Sequence, residues 1–234
     1  MAMVKICGLT DPDLVAFAAG EGADWIGLNF IARRSSPPPP RPQTQPGPDW
    51  IGLNFIARSP RYVTPEAAPA LLRSVGNAVP VALLADPEVA QVMEIAALGF
   101  PVIQLHGAET PERVAEVKAM TGAQVWKDIG VSGPADLMQA ATFEAADRLL
   151  IDAGAPAGAA GAGGHGTAFD WHLLDGWAAP KPWLLAGGLT PETVREAIAR
   201  TGAEAVDVSS GVERVRGLKD KELVRAFLRA AKGH

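Results

Sequence analysis

Short apolar runs recur along this chain, separated by longer stretches whose apolar positions return at helical spacing. The runs are VKICGL (4–9), WIGLNF, VPVALLA (79–85), PVIQLHG (101–107), QVWKDIG (124–130), RLLIDAG (148–154), PWLLAGG (182–188) and AEAVDVSSG (203–211). Several are apolar at consecutive positions, as strands of a parallel sheet covered on both faces tend to be. The stretches between them carry helix-start signals. Thr-Pro-Glu opens three of them, supplying a capping hydroxyl, a proline for the first turn and an early carboxylate. Glycine follows several, where a left-handed cap is expected. The last helix is predicted over KDKELVRAFLRAAKG.

Eight strands, each followed by a helix or helix-like segment, predict a single-domain α/β fold, a (β/α)8 TIM barrel over residues 1–234. The alternative is an open doubly wound sheet, whose first turn usually carries G-x-G-x-x-G. Here the first strand ends in Cys7-Gly8-Leu9-Thr10 instead, which favours the barrel.

One unit is written twice. The ten residues DWIGLNFIAR stand at 24–33 and again at 49–58, separated by RSSPPPPRPQTQPGP. A barrel has one slot between its first and third strands. Residues 24–48 therefore read as an inserted duplicate of the strand-two segment plus a Pro-rich spacer, lying outside the barrel. The second copy is expected in the slot, because it keeps the ARSPRYVTPE turn into the next helix. The unused copy would expose Trp25, Ile26, Leu28 and Phe30. An exposed strand of this kind offers a route to self-association or strand exchange.

Composition narrows the function classes. The net charge of −5 offers no basic stripe for nucleic acid. No apolar run approaches the roughly 18 residues that span a bilayer. The start, MAMVKICGLT, lacks the pattern of a secretory signal. A lone cysteine, Cys7, excludes an intramolecular disulfide and a multi-cysteine metal site. A reducing, cytoplasmic setting is expected.

In a barrel, chemistry collects where strands end. Those ends carry Cys7, Arg61, Gln104 and His106, Lys127 and Asp128, Asp152, Gly187 and Gly188, and Asp207, Ser209, Ser210 and Gly211. The last two turns, AGGLTPE and DVSSG, are small, polar and glycine-rich, at the place where barrels commonly hold phosphate on backbone N–H groups. Cys7 reads either as an inert core residue or as a thiolate near Lys5, which alternation puts on the same face. Asp152 closes an apolar strand, either as a helix cap or as a carboxyl of raised pKa. His106 reads as a hydrogen-bonded interior histidine; no spacing of ligands points to a metal.

The stretches KICGLT, FIARSPRYVTPEAA, VIQLHG, LLIDAG, GGHGTAFDW, LLAGGLTPETV and AVDVSSGVE followed by KD resemble the phosphoribosylanthranilate isomerase family of tryptophan biosynthesis. The resemblance runs from residue 4 to beyond residue 220 and leaves out only the insert. It implies Cys7 as general base and Asp152 as general acid. Arg61 would hold the anthranilate carboxylate, and Asp207 would lie near the sugar hydroxyls or the secondary amine, with Gln104 and His106 completing the substrate site. Gly187, Gly188, Ser209, Ser210 and Gly211 would cradle the phosphate. The implied reaction is an Amadori rearrangement of a phosphorylated sugar, with no cofactor and no metal. The run APAGAAGAGGHGTAFDW, rich in alanine, is expected to form a mobile loop over the site.

Two other readings remain at this stage. A sister barrel acting on a phosphoribosyl aminoimidazole would carry Asp at the strand-one position, where this chain has Cys7. A non-enzyme reading makes the barrel an inactive or impaired scaffold, with the insert as the point of the protein. Arg34 followed by Ser-Ser and Pro37 to Pro40 fits a short basic-x-x-P-x-x-P ligand.

Overall fold

A computed structural model of the chain describes residues 1–31, 59–153 and 170–233. Eight parallel strands close on themselves in sequence order: β1 (Met3–Cys7), β2 (Trp25–Asn29), β3 (Val79–Leu84), β4 (Val102–Leu105), β5 (Gln124–Val131), β6 (Arg148–Ala153), β7 (Trp183–Leu185) and β8 (Ala205–Val208). Helices α1 (Pro12–Gly20), α2 (Ala68–Leu72), α3 (Val89–Ala97), α4 (Pro111–Thr121), α5 (Pro134–Gln139), α6 (Val194–Thr201) and α7 (Lys221–Lys232) lie between and after them. The predicted (β/α)8 barrel is the fold found.

Alternation along each strand divides the core in two. Outward residues such as Val4, Ile6, Ile26, Leu28, Ile103 and Ile151 pack under the helices. Inward residues, among them Trp25, Val81, Leu83, Trp126, Leu150, Leu184 and Ala205, fill the barrel itself. Its floor is aromatic. Trp25 and Trp126 meet edge to face at 5.3 Å, and the Arg148 guanidinium lies 5.3 Å and 5.9 Å from their rings. The cation is thus seated on two π faces rather than buried alone.

The first copy of the repeat, not the second, is strand two, which corrects the sequence expectation. Trp25–Asn29 pairs with β1 through Lys5–Trp25, Ile6–Ile26 and Cys7–Gly27, and with all five partners on β3. The flanks supply a physical reason. Ala23 N–H donates to Ala18 O as α1 ends, and Asp24 Oδ2 accepts from Val4 N–H and from Lys232. The residue ahead of the second copy is Pro48, which has no N–H to give. At the end of β2, Val63 N–H donates to Asn29 O, and Tyr62 bridges Asn29. Residues 49–58 and the glycine-rich run at 154–169 lie outside the described residues, as do the expectations attached to them.

The Thr-Pro-Glu signals act unequally. Thr110 caps α4 by accepting from Arg113 N–H, but α2 and α6 begin later, at Ala68 and Val194. Gly122, Gly202 and Gly233 take the left-handed caps expected of them. After β8 the chain adds a small hairpin, β9 (Glu213–Val215) and β10 (Leu218–Lys219), turning at Gly217. No helix among the described residues is long and apolar enough to cross a membrane.

Candidate active site

The inward residue nearest the carboxyl end of each strand forms the mouth of the barrel. On β1 it is Cys7, buried at 7% exposure. Gly27 on β2 leaves it room, since a Cβ there would lie 3.0 Å from Sγ. Both copies of the repeat carry glycine at this position, so either sequence would respect the thiol.

One layer below, Lys5 is fully buried. Its ammonium donates to Asp207 Oδ1 at 2.9 Å and also contacts the Cys7 thiol. Burial alone would depress Lys5; Asp207 and Cys7 outweigh it and hold the ammonium above its ordinary range. The thiol behaves differently from the expectation of a lowered pKa. Burial pushes Cys7 up, Lys5 offsets this only in part, and Asp207 adds to the rise. Cys7 is therefore a thiol beside an ammonium, one proton from a thiolate–ammonium pair.

Asp152 is the last inward residue of β6, three strand steps from Cys7 around the barrel, with Asp207 on β8 between them. Burial raises its carboxyl to about 7, Asp128 and Asp207 add to the rise, and His106 opposes it. A neutral carboxyl and a carboxylate are then both accessible near neutral pH. His106 Nδ1 lies 3.0 Å from Asp128 Oδ2. Asp128 outweighs burial and pushes His106 to about 9. The sequence spacing did not show that the fold gathers His106, Asp128 and Asp152, with one side-chain nitrogen or oxygen of each within 4.8 Å of the others.

Gln104 sits one layer beneath His106 at 1% exposure, with Oε1 unpartnered among the described residues.

The two glycine-rich turns pack backbone to backbone. A Cβ on Gly211 would strike Leu189 O. Gly187 and Gly188 have φ of 89° and 66°, a region that favours glycine. Gly187 has a second constraint, for a Cβ would lie 2.9 Å from Asp152 Oδ1. Ser209 and Ser210 stand at the same rim, but the Ser209 hydroxyl is engaged already: it donates to Cys7 O at 3.3 Å and accepts from Lys219 at 3.2 Å.

Arg61 lies over the mouth of β1, its Cδ against the face of Gly8. Its Nε and Nη2 donate to the two oxygens of Glu213 at 2.6 and 2.7 Å. Lys219 and Gly217 N–H also donate to Glu213, at 2.7 and 2.9 Å. These donors outweigh burial and hold the Glu213 carboxyl down at about 2. Burial, only partly offset by Glu213, lowers Lys219 below its usual range. The sequence reading included Arg61 but missed Glu213 and Lys219; the one available signal was their place in the SGVE and KD stretches. The paired Lys127 and Glu109 (3.0 Å), both nearly inaccessible, also hold the backbone of the β4 loop through Gly107, and serve the rim's shape.

A closed parallel barrel whose mouth joins a buried thiol, a buried carboxyl and two glycine turns after the last strands has the layout of a (β/α)8 enzyme. Comparison with known proteins agrees and is more specific. The family model described as N-(5'phosphoribosyl)anthranilate (PRA) isomerase matches residues 44–230. A protein of Hyphomonas neptunium named N-(5'-phosphoribosyl)anthranilate isomerase is 59% identical over 232 residues, covering 99% of this chain and 98% of that one. Its namesake from Paramagnetospirillum magneticum is 43% identical, covering 98% and 97%. The crystal structure of phosphoribosyl anthranilate isomerase from Thermotoga maritima superposes with a TM-score of 0.79 at 30% identity, covering all of both chains. A further isomerase structure, in complex with reduced 1-(o-carboxyphenylamino)-1-deoxyribulose 5-phosphate, gives 0.78 at 28% identity over all of both chains. The chain belongs to the N-(5'-phosphoribosyl)anthranilate isomerase family.

Proposed function

We propose that this chain isomerises N-(5'-phosphoribosyl)anthranilate to 1-(2-carboxyphenylamino)-1-deoxyribulose 5-phosphate, with Cys7 as base and Asp152 as acid. The observation that carries the assignment is the difference between the two environments. One group is a buried thiol in contact with an ammonium, and the other a buried carboxyl near neutrality. Acid and base acting on one sugar need such separated surroundings.

Asp152 donates its proton to the furanose ring oxygen as the C1'–O bond breaks. The anthranilate nitrogen supplies its lone pair, leaving an open-chain iminium. Cys7 acts from its thiolate form, its S–H proton having passed to solvent water before the sugar binds; the thiolate removes the C2' proton, the C2'–H electrons form the C1'–C2' double bond, and the C1'–N double-bond electrons return to the nitrogen. The resulting enolamine tautomerises to the ketone. Lys5 favours the thiolate when it forms. Asp207, fixed by Lys5, faces the space between acid and base and is suited to the sugar hydroxyls or the amine.

The phosphate is assigned to the N–H groups of the Gly187–Gly188 and Ser210–Gly211 turns. Arg61 keeps its Nη1 edge uncommitted among the described residues, since Glu213 takes Nε and Nη2. That edge is assigned to the anthranilate carboxylate as a charge-assisted pair. A free thiol as base suits a reducing cytoplasmic setting. The repeated segment is assigned a part in self-association. A relative from Thermotoga maritima is described as a dimeric isomerase, and size-exclusion chromatography with light scattering would show whether this chain pairs.

The test of the activity is steady-state turnover of freshly generated phosphoribosylanthranilate by the full chain, followed by loss of anthranilate fluorescence. Conversion to the carboxyphenylamino ketose supports the proposal. A folded chain that gives none would favour the impaired scaffold.

A further inference from the structure

The mechanism uses Asp152 but not its two neighbours. His106 and Asp128 extend the inward rows of β4 and β5: Gln104 pairs in register with Trp126 and Leu105 with Lys127, so the next step sets His106 opposite Asp128. Gly130, the next inward residue of β5, pairs with Asp152 and has no side chain to separate the two carboxyls. All three groups come within 4.8 Å. Asp128 and His106 side chains are 10% and 16% exposed, and neither Asp128 Oδ2 nor His106 Nδ1 has an aligned hydrogen bond among the described residues. Lys127 and Glu109, by contrast, are both bonded to the backbone of Gly107.

We propose that Asp128 and His106 form a positioning pair that keeps the Asp152 carboxyl in its proton-donating form as substrate arrives. The inference rests on Asp152 being the acid. Two carboxyls this close, away from water, do not both ionise readily. The imidazolium has its partner in Asp128, 3.0 Å away, and the charge of Asp128 beside the buried Asp152 leaves the proton on Asp152. Among the described residues the other charges acting on this cluster are Asp207 on β8 and, beyond it, Lys5 and Cys7 on β1, while at the β7 turn Gly187 meets Asp152. The direction of the Asp152 shift, with Asp128 the largest charge raising it and His106 opposing, agrees with the geometry.

The two members of the pair have opposite signs, which separates an electrostatic role from a structural one. The experiment is the pH profile of kcat/KM for the full chain and for Asp128→Asn, His106→Asn and Asp152→Asn. The limb reporting the acid belongs to the cluster as a whole. In Asp128→Asn it moves to lower pH, by about one unit for a single charge at this range; at pH 8 this is a several-fold loss of kcat/KM. In His106→Asn it moves to higher pH. In Asp152→Asn it disappears. The His106 imidazole, followed by NMR, supplies a readout independent of turnover, and its titration falls from about 9 toward the ordinary value in Asp128→Asn.

An unmoved limb in Asp128→Asn, or shifts of one sign in both neighbours, overturns the proposal while leaving Asp152 as the acid. A limb that persists in Asp152→Asn overturns the acid's identity, and the proposal with it.

Discussion

Arg61 and Glu213 are joined edge to edge, two parallel bonds of 2.6 and 2.7 Å between residues 152 positions apart in the chain. The pairing ties the segment that follows strand two to the hairpin that follows strand eight, across the mouth of β1. It fixes the guanidinium plane, with one edge fastened and Nη1 uncommitted among the described residues.

Glu213 is accordingly predicted to act on both stability and binding. Glu213→Ala leaves two cations, Arg61 and Lys219, without their shared carboxylate. Breaking a buried pair from one side costs about 3–5 kcal/mol. Urea unfolding should show a loss of that order, and KM should rise more than kcat falls. Glu213 also sets an acid limit. Its folded pKa of about 2 lies below the ~4.3 of an unfolded glutamate, so its contribution is full above that value and lost as pH falls toward 2. A Glu213→Gln variant should lack this acid-range loss when unfolding is followed against pH.

For Asp152 the sign is reversed. Its folded value of about 7 lies above the ~3.9 of an unfolded aspartate. Between those values the folded state binds more protons, so stability falls as pH rises through the window. Asp152→Asn should match the parent at pH 3.5 and be more stable at pH 8, while losing activity. Thermal melting across that range checks both halves.

Gly187 is predicted to matter to both folding and catalysis. A Cβ there would lie 2.5 Å from Ala153 N and 2.9 Å from Asp152 Oδ1, at a φ of 89°. Strain of this kind costs about 1–3 kcal/mol. Gly187→Ala should lower kcat by more than tenfold. Gly122→Ala, also at positive φ but in open space, should cost stability alone.

The choice of strand two is open to a direct comparison. Deleting either copy with the spacer yields the same sequence, so deletion cannot distinguish them. Ile26 is fully buried in the described barrel. Ile26→Asp should unfold the chain, whereas Ile51→Asp should leave its circular dichroism unchanged; a reversed result would place the second copy in the barrel.

The barrel was legible because consecutive apolar residues in runs such as VPVALLA and RLLIDA can be satisfied only by burial on both faces. The repeat was legible too, but not which copy is used. Both offer identical side chains, and the difference lies in one backbone donor, Ala23 against Pro48. The hairpin at Glu213–Lys219 was missed because short, largely polar strands carry no hydrophobic alternation. Cys7 and Asp152 stood out as single chemical groups ending apolar strands. Their surroundings did not, because Lys5 meets Asp207 over 202 positions and Arg61 meets Glu213 over 152. Nor does a sequence show that burial outweighs Lys5 and raises the thiol.

The most direct test of the thiol–carboxyl assignment is turnover of freshly generated phosphoribosylanthranilate by the full chain, by Cys7→Ala and by Asp152→Asn, each shown to be folded. Loss of general acid or base predicts a fall in kcat of about 10²–10⁴-fold for each variant. Either variant turning over within a few-fold of the parent would contradict the account and remove that residue from the chemistry.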